Sequence, residues 1–173
     1  MGIEILKNSI TNMDTEAVVN AANSGLREGS GVCGYIFDAA GNRELQAACD
    51  KIGHCDTGDA VITPGFKMKN KYIIHAVGPI WNGGNNGEKK LLYGAYYNSL
   101  LRAKENSICS IAFPLISAGI YGYPIEKAWN VALEACFEFL ALEKYDIDIK
   151  FAILDTDILN TGKKLLDKFE KDI

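Results

Sequence analysis

The chain has 173 residues, of which 48% are hydrophobic and 23% are charged, so it is long enough for one globular domain with a sizeable core. A formal net charge of -4 without a basic cluster argues against a protein that binds mainly through a nucleic-acid backbone or an anionic membrane surface. An early charged residue, Glu4, and the lack of a long apolar run predict neither a signal peptide nor a membrane span. We therefore expect one soluble, cytoplasmic domain over residues 1–173.

The first half of the chain alternates strand and helix patterns. Apolar runs predict four strands, at 3–7, 17–20, 60–63 and 72–77. A helix is expected to begin near Gly34, and apolar residues at helical spacing predict another over 42–52, with Gly53 as its stop. Residues 81–87 are rich in Gly and Asn and predict a flexible surface loop.

The second half continues the alternation to the end of the chain. Strands are predicted at 110–114 and 147–154, and helices at 88–105, 125–142 and 156–169. The last helix has Asp155 or Thr156 as its N-cap. Strands separated by helices imply an α/β fold, in which a mixed, largely parallel sheet is covered on both faces.

Five cysteines occur at irregular spacing: Cys33, Cys49, Cys55, Cys109 and Cys136. An odd number without regular spacing does not indicate a disulfide framework, and it suits a reducing compartment. Cys49 and Cys55 lie close to His54, but no CxxC or HxxxH pair accompanies them, so no metal site is predicted. The apolar surroundings of Cys109 and Cys136 predict small core residues.

The most informative segment is an apolar strand that runs into a Gly-rich turn. Residues 17–23 end at Asn23, and glycines at 25, 29, 31 and 34 follow. Closely spaced glycines let backbone N–H groups converge on an anion, and a helix that begins nearby adds its positive dipole end. Ligands of open α/β sheets collect where strands end, so this turn is a candidate site for a nucleotide-like diphosphate.

A second segment repeats the arrangement. The apolar run 110–116 leads into a turn at 117–122, and Pro124 suits the start of the next helix. Two such units would place amide donors on two sides of one diphosphate. Neither turn is a P-loop or a GxGxxG motif, and each is also compatible with an ordinary tight connection between a strand and a helix.

Four landmarks in this order resemble the macro domain, a family of ADP-ribose-binding modules. They are Val18-Val19-Asn20-Ala21-Ala22-Asn23, Gly29-Ser30-Gly31-Val32, Tyr72-Ile73-Ile74-His75-Ala76-Val77-Gly78-Pro79, and the segment 110–124. The resemblance covers nearly the whole chain. It implies a three-layer α/β/α sandwich with a mixed central sheet, which agrees with the pattern of strands and helices.

The resemblance also implies where a ligand would lie. Asn23 matches an asparagine at the distal ribose and is a candidate catalytic residue, and Tyr121 matches an aromatic residue beside that ribose. Ile10 matches a residue whose backbone faces the adenine, and Ser9 precedes it. The remaining matched positions form the two loops around the diphosphate: Gly29, Ser30, Gly31, Val32 and Gly34, then Ser117, Ala118, Gly119, Ile120 and Gly122.

The chain departs from the family pattern at three positions. Ser9 stands where the family usually has an aspartate that accepts a hydrogen bond from the adenine amino group, so adenine selectivity is expected to weaken. Cys33 and Phe37 stand where hydrolases of the MacroD type have aspartate and histidine. Cysteine cannot accept and return a proton as a carboxylate does, and phenylalanine cannot titrate. The sequence Gly31-Val32-Cys33 is similar to that of alphavirus macro domains. Because Cys33 precedes a helix N-terminus beside the expected anion site, it is a candidate either for a reactive thiolate or, as we favour, for a small inert residue.

Three functions follow from the resemblance. The first is a hydrolase that removes ADP-ribose from proteins or deacetylates O-acetyl-ADP-ribose, with weak or altered activity. The second is a non-catalytic reader of ADP-ribose or a related NAD metabolite. The third, binding of RNA or poly(A), is least favoured because the chain is acidic. The expected partner is ADP-ribose or an ADP-ribosylated protein, with ADP-ribose as ligand or substrate and no cofactor or metal.

Overall fold

Six strands form one mixed sheet in the computed structural model, which describes residues 2–173; Met1, part of the predicted domain, lies outside them. The strands are β1 Gly2–Lys7, β2 Ala17–Ala21, β3 Ala60–Pro64, β4 Tyr72–Ala76, β5 Ser110–Phe113 and β6 Asp148–Ile153. Their order is β1-β6-β5-β2-β4-β3. Neighbouring strands are parallel except β3, which pairs antiparallel with β4. The mixed, largely parallel sheet is confirmed.

Helices cover both faces of the sheet. They are α1 Val32–Ala40, α2 Asn42–Ile52, α3 Glu88–Glu105, α4 Ile125–Glu143 and α5 Thr156–Lys171. Val18 points into the core shared with α1 and α2, whereas its neighbour Val19 points into the core shared with α3 and α4. This alternation follows from the two-residue period of a strand, and it produces the predicted three-layer α/β/α sandwich.

The larger of the two cores is built around aromatic side chains. Trp129 and Tyr96 are fully buried, and both rings contact Phe151. The Tyr96 hydroxyl donates to the carbonyl of Pro114 at 3.3 Å and accepts from the N–H of Ile116 at 2.8 Å. A core residue of α3 therefore holds the backbone just after the carboxyl end of β5.

Local boundaries follow the predictions closely, with informative differences. Helix α1 begins at Val32, two residues before Gly34. Asp155 is the N-cap of α5, since its side chain accepts from the N–H groups of Asp157 at 2.9 Å and Ile158 at 3.0 Å. A short 3-10 turn over Ile10–Asn12 has no counterpart in the predictions.

The prediction that Cys109 is a core residue was wrong. Cys109 is exposed just before β5, whereas Cys136 is fully buried in α4. The apolar residues that follow Cys109 belong to a strand whose buried part begins only at Ile111.

Within residues 2–173, no helix is both long and apolar enough to cross a membrane.

Candidate ligand-binding cleft

Two cavities meet above the carboxyl ends of β2, β5 and β6. The first has a volume of about 310 Å³ and the second of about 230 Å³. Four residues line both: Val32, Pro114, Leu115 and Gly119. Together the cavities form one elongated cleft, placed at the sheet edge where α/β proteins bind their ligands.

One wall of the first cavity is the segment 29–34. Gly29, Ser30, Gly31, Val32 and Cys33 line the cavity. Gly31 is the N-cap of α1, with a φ of 61°, and makes no side-chain capping bond. The first N–H groups of a helix have no acceptor within it, so those of α1 are available to an anion.

Gly34 belongs to this segment but does not line either cavity. A Cβ atom at Gly34 would lie 2.7 Å from the carbonyl oxygen of Gly29. Glycine is therefore required here because the first turn of α1 packs directly against the backbone of Gly29.

Asn23 lines the first cavity, and its side chain organises its own loop. Its Oδ1 accepts from the N–H of Arg27 at 2.9 Å, and its Nδ2 donates to the carbonyl of Arg27 at 2.8 Å. An amide oxygen has a second lone pair and an amide nitrogen a second hydrogen. Asn23 can therefore contact a ligand while it still holds residues 23–29, which we call the 23–29 loop.

The opposite wall is formed by residues 117–122, which we call the 117–122 loop. Ser117 has a φ of 66° and Gly122 one of 71°, so both ends of the loop are left-handed. Its closing bonds run from the N–H of Gly122 to Gly119 and from the N–H of Tyr123 to Ser117. Neither bond uses the N–H groups of residues 119–121, which line the first cavity.

The residues of the 117–122 loop that match the family pattern do not all line the same cavity. Ala118 lines the second cavity, and Gly122 lines neither. Ser117 lines the first cavity, but its hydroxyl is buried and donates to the carbonyl of Pro79 at 2.7 Å. The side chain of Ser117 therefore supports the loop.

The loop at 81–87, predicted to be flexible, is held by the buried carboxylate of Glu88. That carboxylate accepts from the N–H groups of Asn82 at 2.8 Å, Gly84 at 2.9 Å and Asn86 at 2.6 Å. Burial alone would raise the pKa of Glu88, but these backbone donors and the N–H of Glu88 itself together lower it to about 2. The carboxylate is therefore charged at neutral pH and orders the loop.

The loop at 81–87 also holds the 117–122 loop in place. The N–H of Trp81 donates to the carbonyl of Tyr121 at 2.8 Å. The Trp81 ring packs against Tyr123 with centroids 4.7 Å apart. Tyr121, which lines the first cavity, is thus positioned through its backbone by a segment that does not line the cleft.

The second cavity is lined by both polar and apolar residues. Two residues matched to the adenine end of the ligand, Ser9 and Ile10, line this cavity together with Tyr35 and Asp155. The hydroxyls of Ser9 and Thr11 lie 3.0 Å apart. One oxygen of Asp155 already caps α5, so that carboxylate is fixed at the edge of the cavity.

The thiol of Cys33 is buried and has two hydrogen-bond partners. Its Sγ donates to the carbonyl of Arg27 at 3.6 Å and accepts from the amide of Asn20 at 3.7 Å. Burial raises the pKa of Cys33, and the hydrogen bonds from neighbouring groups do not offset it. The geometry therefore favours the inert residue over the reactive thiolate.

Behind Cys33, buried polar side chains of three strands contact one another, although Oδ1 of Asn20 has no hydrogen-bond partner among residues 2–173. His75 is fully buried, and burial lowers its pKa to about 4. Its Nδ1 lies 3.1 Å from the amide nitrogen of Asn20 and its Nε2 lies 2.9 Å from the hydroxyl of Thr63. A neutral ring with this pair of partners supports β2, β3 and β4 from within. Across residues 2–173, no three His, Cys, Asp or Glu side chains are grouped so as to hold a metal ion.

The sequence patterns did not point to several lining residues. Gly78, Pro114 and Leu115 line the first cavity because β4 and β5 end there. Tyr35 and Asp155 line the second cavity, one from the first turn of α1 and one just after β6. Their common signal is position: each follows a strand end or begins a helix on the same edge of the sheet.

The fold and cleft are those of an α/β domain that binds a ligand at its strand ends. The chain belongs to the macro domain family: the family model, described as Macro domain, matches residues 19–132. An O-acetyl-ADP-ribose deacetylase of Salmonella typhimurium is 42% identical over 168 residues, which cover 95% of this chain and 93% of that protein.

Two solved structures are similar over nearly the whole chain. The Oceanobacillus iheyensis macrodomain with ADP has a TM-score of 0.93 and 36% identity, and the match covers 99% of this chain and 93% of that one. The Trypanosoma brucei macrodomain in complex with ADP-ribose has a TM-score of 0.85 and 30% identity, over 95% of this chain and 68% of that one.

Proposed function

We propose that the cleft binds ADP-ribose. The adenosine occupies the second cavity, the diphosphate lies between the segment 29–34 and the 117–122 loop, and the distal ribose lies beside Asn23. One observation carries the proposal: two amide-lined segments, which follow neighbouring strands, border a single continuous cleft. The complexes of the two similar macrodomains with ADP and with ADP-ribose support this choice of ligand.

The partner in this proposal is free ADP-ribose, as a product of NAD metabolism, or an ADP-ribosylated protein. ADP-ribose enters as ligand or substrate and not as a cofactor. The net charge of -4 argues against a nucleic acid as the main partner. Five free cysteines support a reducing, cytoplasmic location.

A second function, hydrolysis of O-acetyl-ADP-ribose or of a mono-ADP-ribosyl bond, is favoured by the similarity to a named deacetylase. Amide donors of the first cavity and the side chain of Asn23 would stabilise negative charge that develops on the substrate. Among the residues 2–173 that line this cavity, none carries a carboxylate, and burial raises the pKa of the Cys33 thiol. We therefore expect turnover slower than in an aspartate-containing relative, and a non-catalytic reader is the alternative.

Replacing Asn23 by alanine tests both parts of the proposal. The change removes both hydrogen bonds to Arg27 and the polar group beside the distal ribose. Each lost bond costs about 1 kcal/mol, so ADP-ribose affinity should fall about tenfold or more. AMP, which lacks the distal ribose, should bind the variant and the wild type equally.

Calorimetry measures the two affinities, and release of acetate from O-acetyl-ADP-ribose measures turnover. Saturable heat from ADP-ribose with wild type supports the binding function. No heat at millimolar ADP-ribose would refute it. Equal, negligible turnover by wild type and Asn23→Ala would leave the reader as the function.

A second prediction concerns the base. Ser9→Asp places a carboxylate at the edge of the second cavity, where it can accept a hydrogen bond from the adenine amino group. A charged acceptor strengthens such a bond by about 1 kcal/mol, so AMP affinity should rise about fivefold. IMP has no amino group there, so its affinity should not rise, and Ser9→Ala serves as the control. Equal gains for AMP and IMP in calorimetry would argue that the base lies elsewhere.

A further inference from the structure

We propose that Gln46, on α2, is a positioning residue for the distal-ribose end of the cleft. Its Oε1 accepts from the N–H of Glu28 at 3.0 Å, and its Nε2 donates to the carbonyl of Leu26 at 3.0 Å. One side chain therefore holds two backbone groups of the 23–29 loop. Gln46 lines neither cavity, so it acts through the loop and not through the ligand.

The side chain of Gln46 is itself oriented from its own helix. Its Nε2 also donates to Oδ1 of Asp50, one helical turn further along, at 2.9 Å. This contact distinguishes the nitrogen from the oxygen of the amide, because the nitrogen must face the carboxylate. The oxygen is then directed at the N–H of Glu28, as the loop requires.

The 23–29 loop needs such support. Leu26 has a φ of 54°, a left-handed conformation that is costly for a residue with a branched side chain. Arg27 and Glu28, which follow Leu26, are both exposed to solvent. The buried Leu26 side chain, Asn23 and Gln46 are thus among the groups that hold the loop between two lining residues, Asn23 and Gly29.

The two supports differ in what a ligand can do to them. Asn23 lines the cleft, so a ribose that bonds to its amide shares that amide with the bonds to Arg27. Gln46 lies outside the cleft, so a ligand in the cleft does not compete for its two bonds to the loop. Gln46 therefore preserves the loop when Asn23 engages the distal ribose, an inference that rests on the proposed function.

The test compares Gln46→Met with wild type. Methionine preserves the length and packing of the side chain but makes neither hydrogen bond to the loop. ADP-ribose affinity should fall about five- to tenfold, since two hydrogen bonds of modest net strength are lost. AMP affinity should stay within about twofold, because AMP does not reach the 23–29 loop. Amide exchange at Glu28, followed by NMR, should accelerate.

Two further variants complete the experiment. Arg43→Ala changes an exposed side chain on the same helix and should leave all three quantities unchanged. Gln46→Glu keeps the acceptor for the N–H of Glu28 but sets an oxygen against the carbonyl of Leu26 and the carboxylate of Asp50, so its ADP-ribose affinity should fall at least as far as that of Gln46→Met. It also serves if the methionine variant does not fold.

The outcomes separate the two proposals. If wild type binds ADP-ribose and both Gln46 variants bind it equally well, Gln46 has no positioning role and only the proposed function stands. The same conclusion follows if ADP-ribose and AMP lose affinity to the same extent, because the effect would then be general. If wild type does not bind ADP-ribose, the proposed function fails, and the inference fails with it.

Discussion

Replacing Gly34 by alanine is expected to weaken ADP-ribose binding about ten- to a hundredfold while the protein stays folded. The new Cβ would lie 2.7 Å from the carbonyl oxygen of Gly29. Only a shift of the backbone at Gly29 or Gly34 can relieve this contact. Overpacking of this kind costs about 1–3 kcal/mol. Relief requires the segment 29–34 to move, which displaces the amide donors at the start of α1 from the diphosphate.

Calorimetry with ADP-ribose and with ADP measures the effect, and both ligands should lose affinity because both carry the diphosphate. Asp38→Ala is the matched control, since Asp38 is exposed on the same helix and lines neither cavity. Its affinity should equal that of wild type. Full ADP-ribose affinity in Gly34→Ala would mean that this wall does not contact the diphosphate.

Replacing Gly162 by alanine is expected to destabilise the fold by about 2 kcal/mol and leave the cleft unaltered. Alanine would favour helix α5 by about 1 kcal/mol through its higher helix propensity. The new Cβ, however, would lie 2.5 Å from two ring atoms of the fully buried Trp129. An indole locked by its Nε1 bond to Ile158 at 2.9 Å cannot move aside, so overpacking of about 3 kcal/mol outweighs the gain in propensity.

Thermal unfolding measures this effect, and a loss of 2 kcal/mol lowers the midpoint by about 4–8 °C in a domain of this size. Asn160→Ala, at an exposed position of the same helix, should not lower the midpoint. Below the transition, Gly162→Ala should bind ADP-ribose as wild type does. An unchanged or higher midpoint would show that α5 moves away from Trp129 at little cost.

Local patterns predicted the elements well because each pattern is carried by neighbouring residues. The run 72–77 and the helix that follows Pro124 are examples: β4 is Tyr72–Ala76 and α4 is Ile125–Glu143. Cys109 was placed wrongly because an apolar neighbourhood along the chain does not show where the buried part of a strand begins. The 3-10 turn at Ile10–Asn12 has too few residues to show a period.

The candidate cleft was predictable in its parts but not as a whole. The glycines of the segment 29–34 and of the 117–122 loop are visible in the sequence, and both segments border the first cavity. That they face each other depends on the pairing of β2 with β5, two strands far apart in the chain. That pairing is a property of sheet topology, which no local pattern contains.

The sequence by itself determined the α/β class, the order of the elements and the two amide-rich segments, because periodicity, glycine spacing and helix caps act over a few adjacent residues. Only the tertiary structure decided the rest. The side chain of Gln46 hydrogen-bonds to Leu26 and Glu28. The carboxylate of Glu88 orders the loop at 81–87, and Gly162 packs against Trp129. Except for the Glu88 loop, these contacts join segments distant in the chain, and packing in three dimensions brings such segments together.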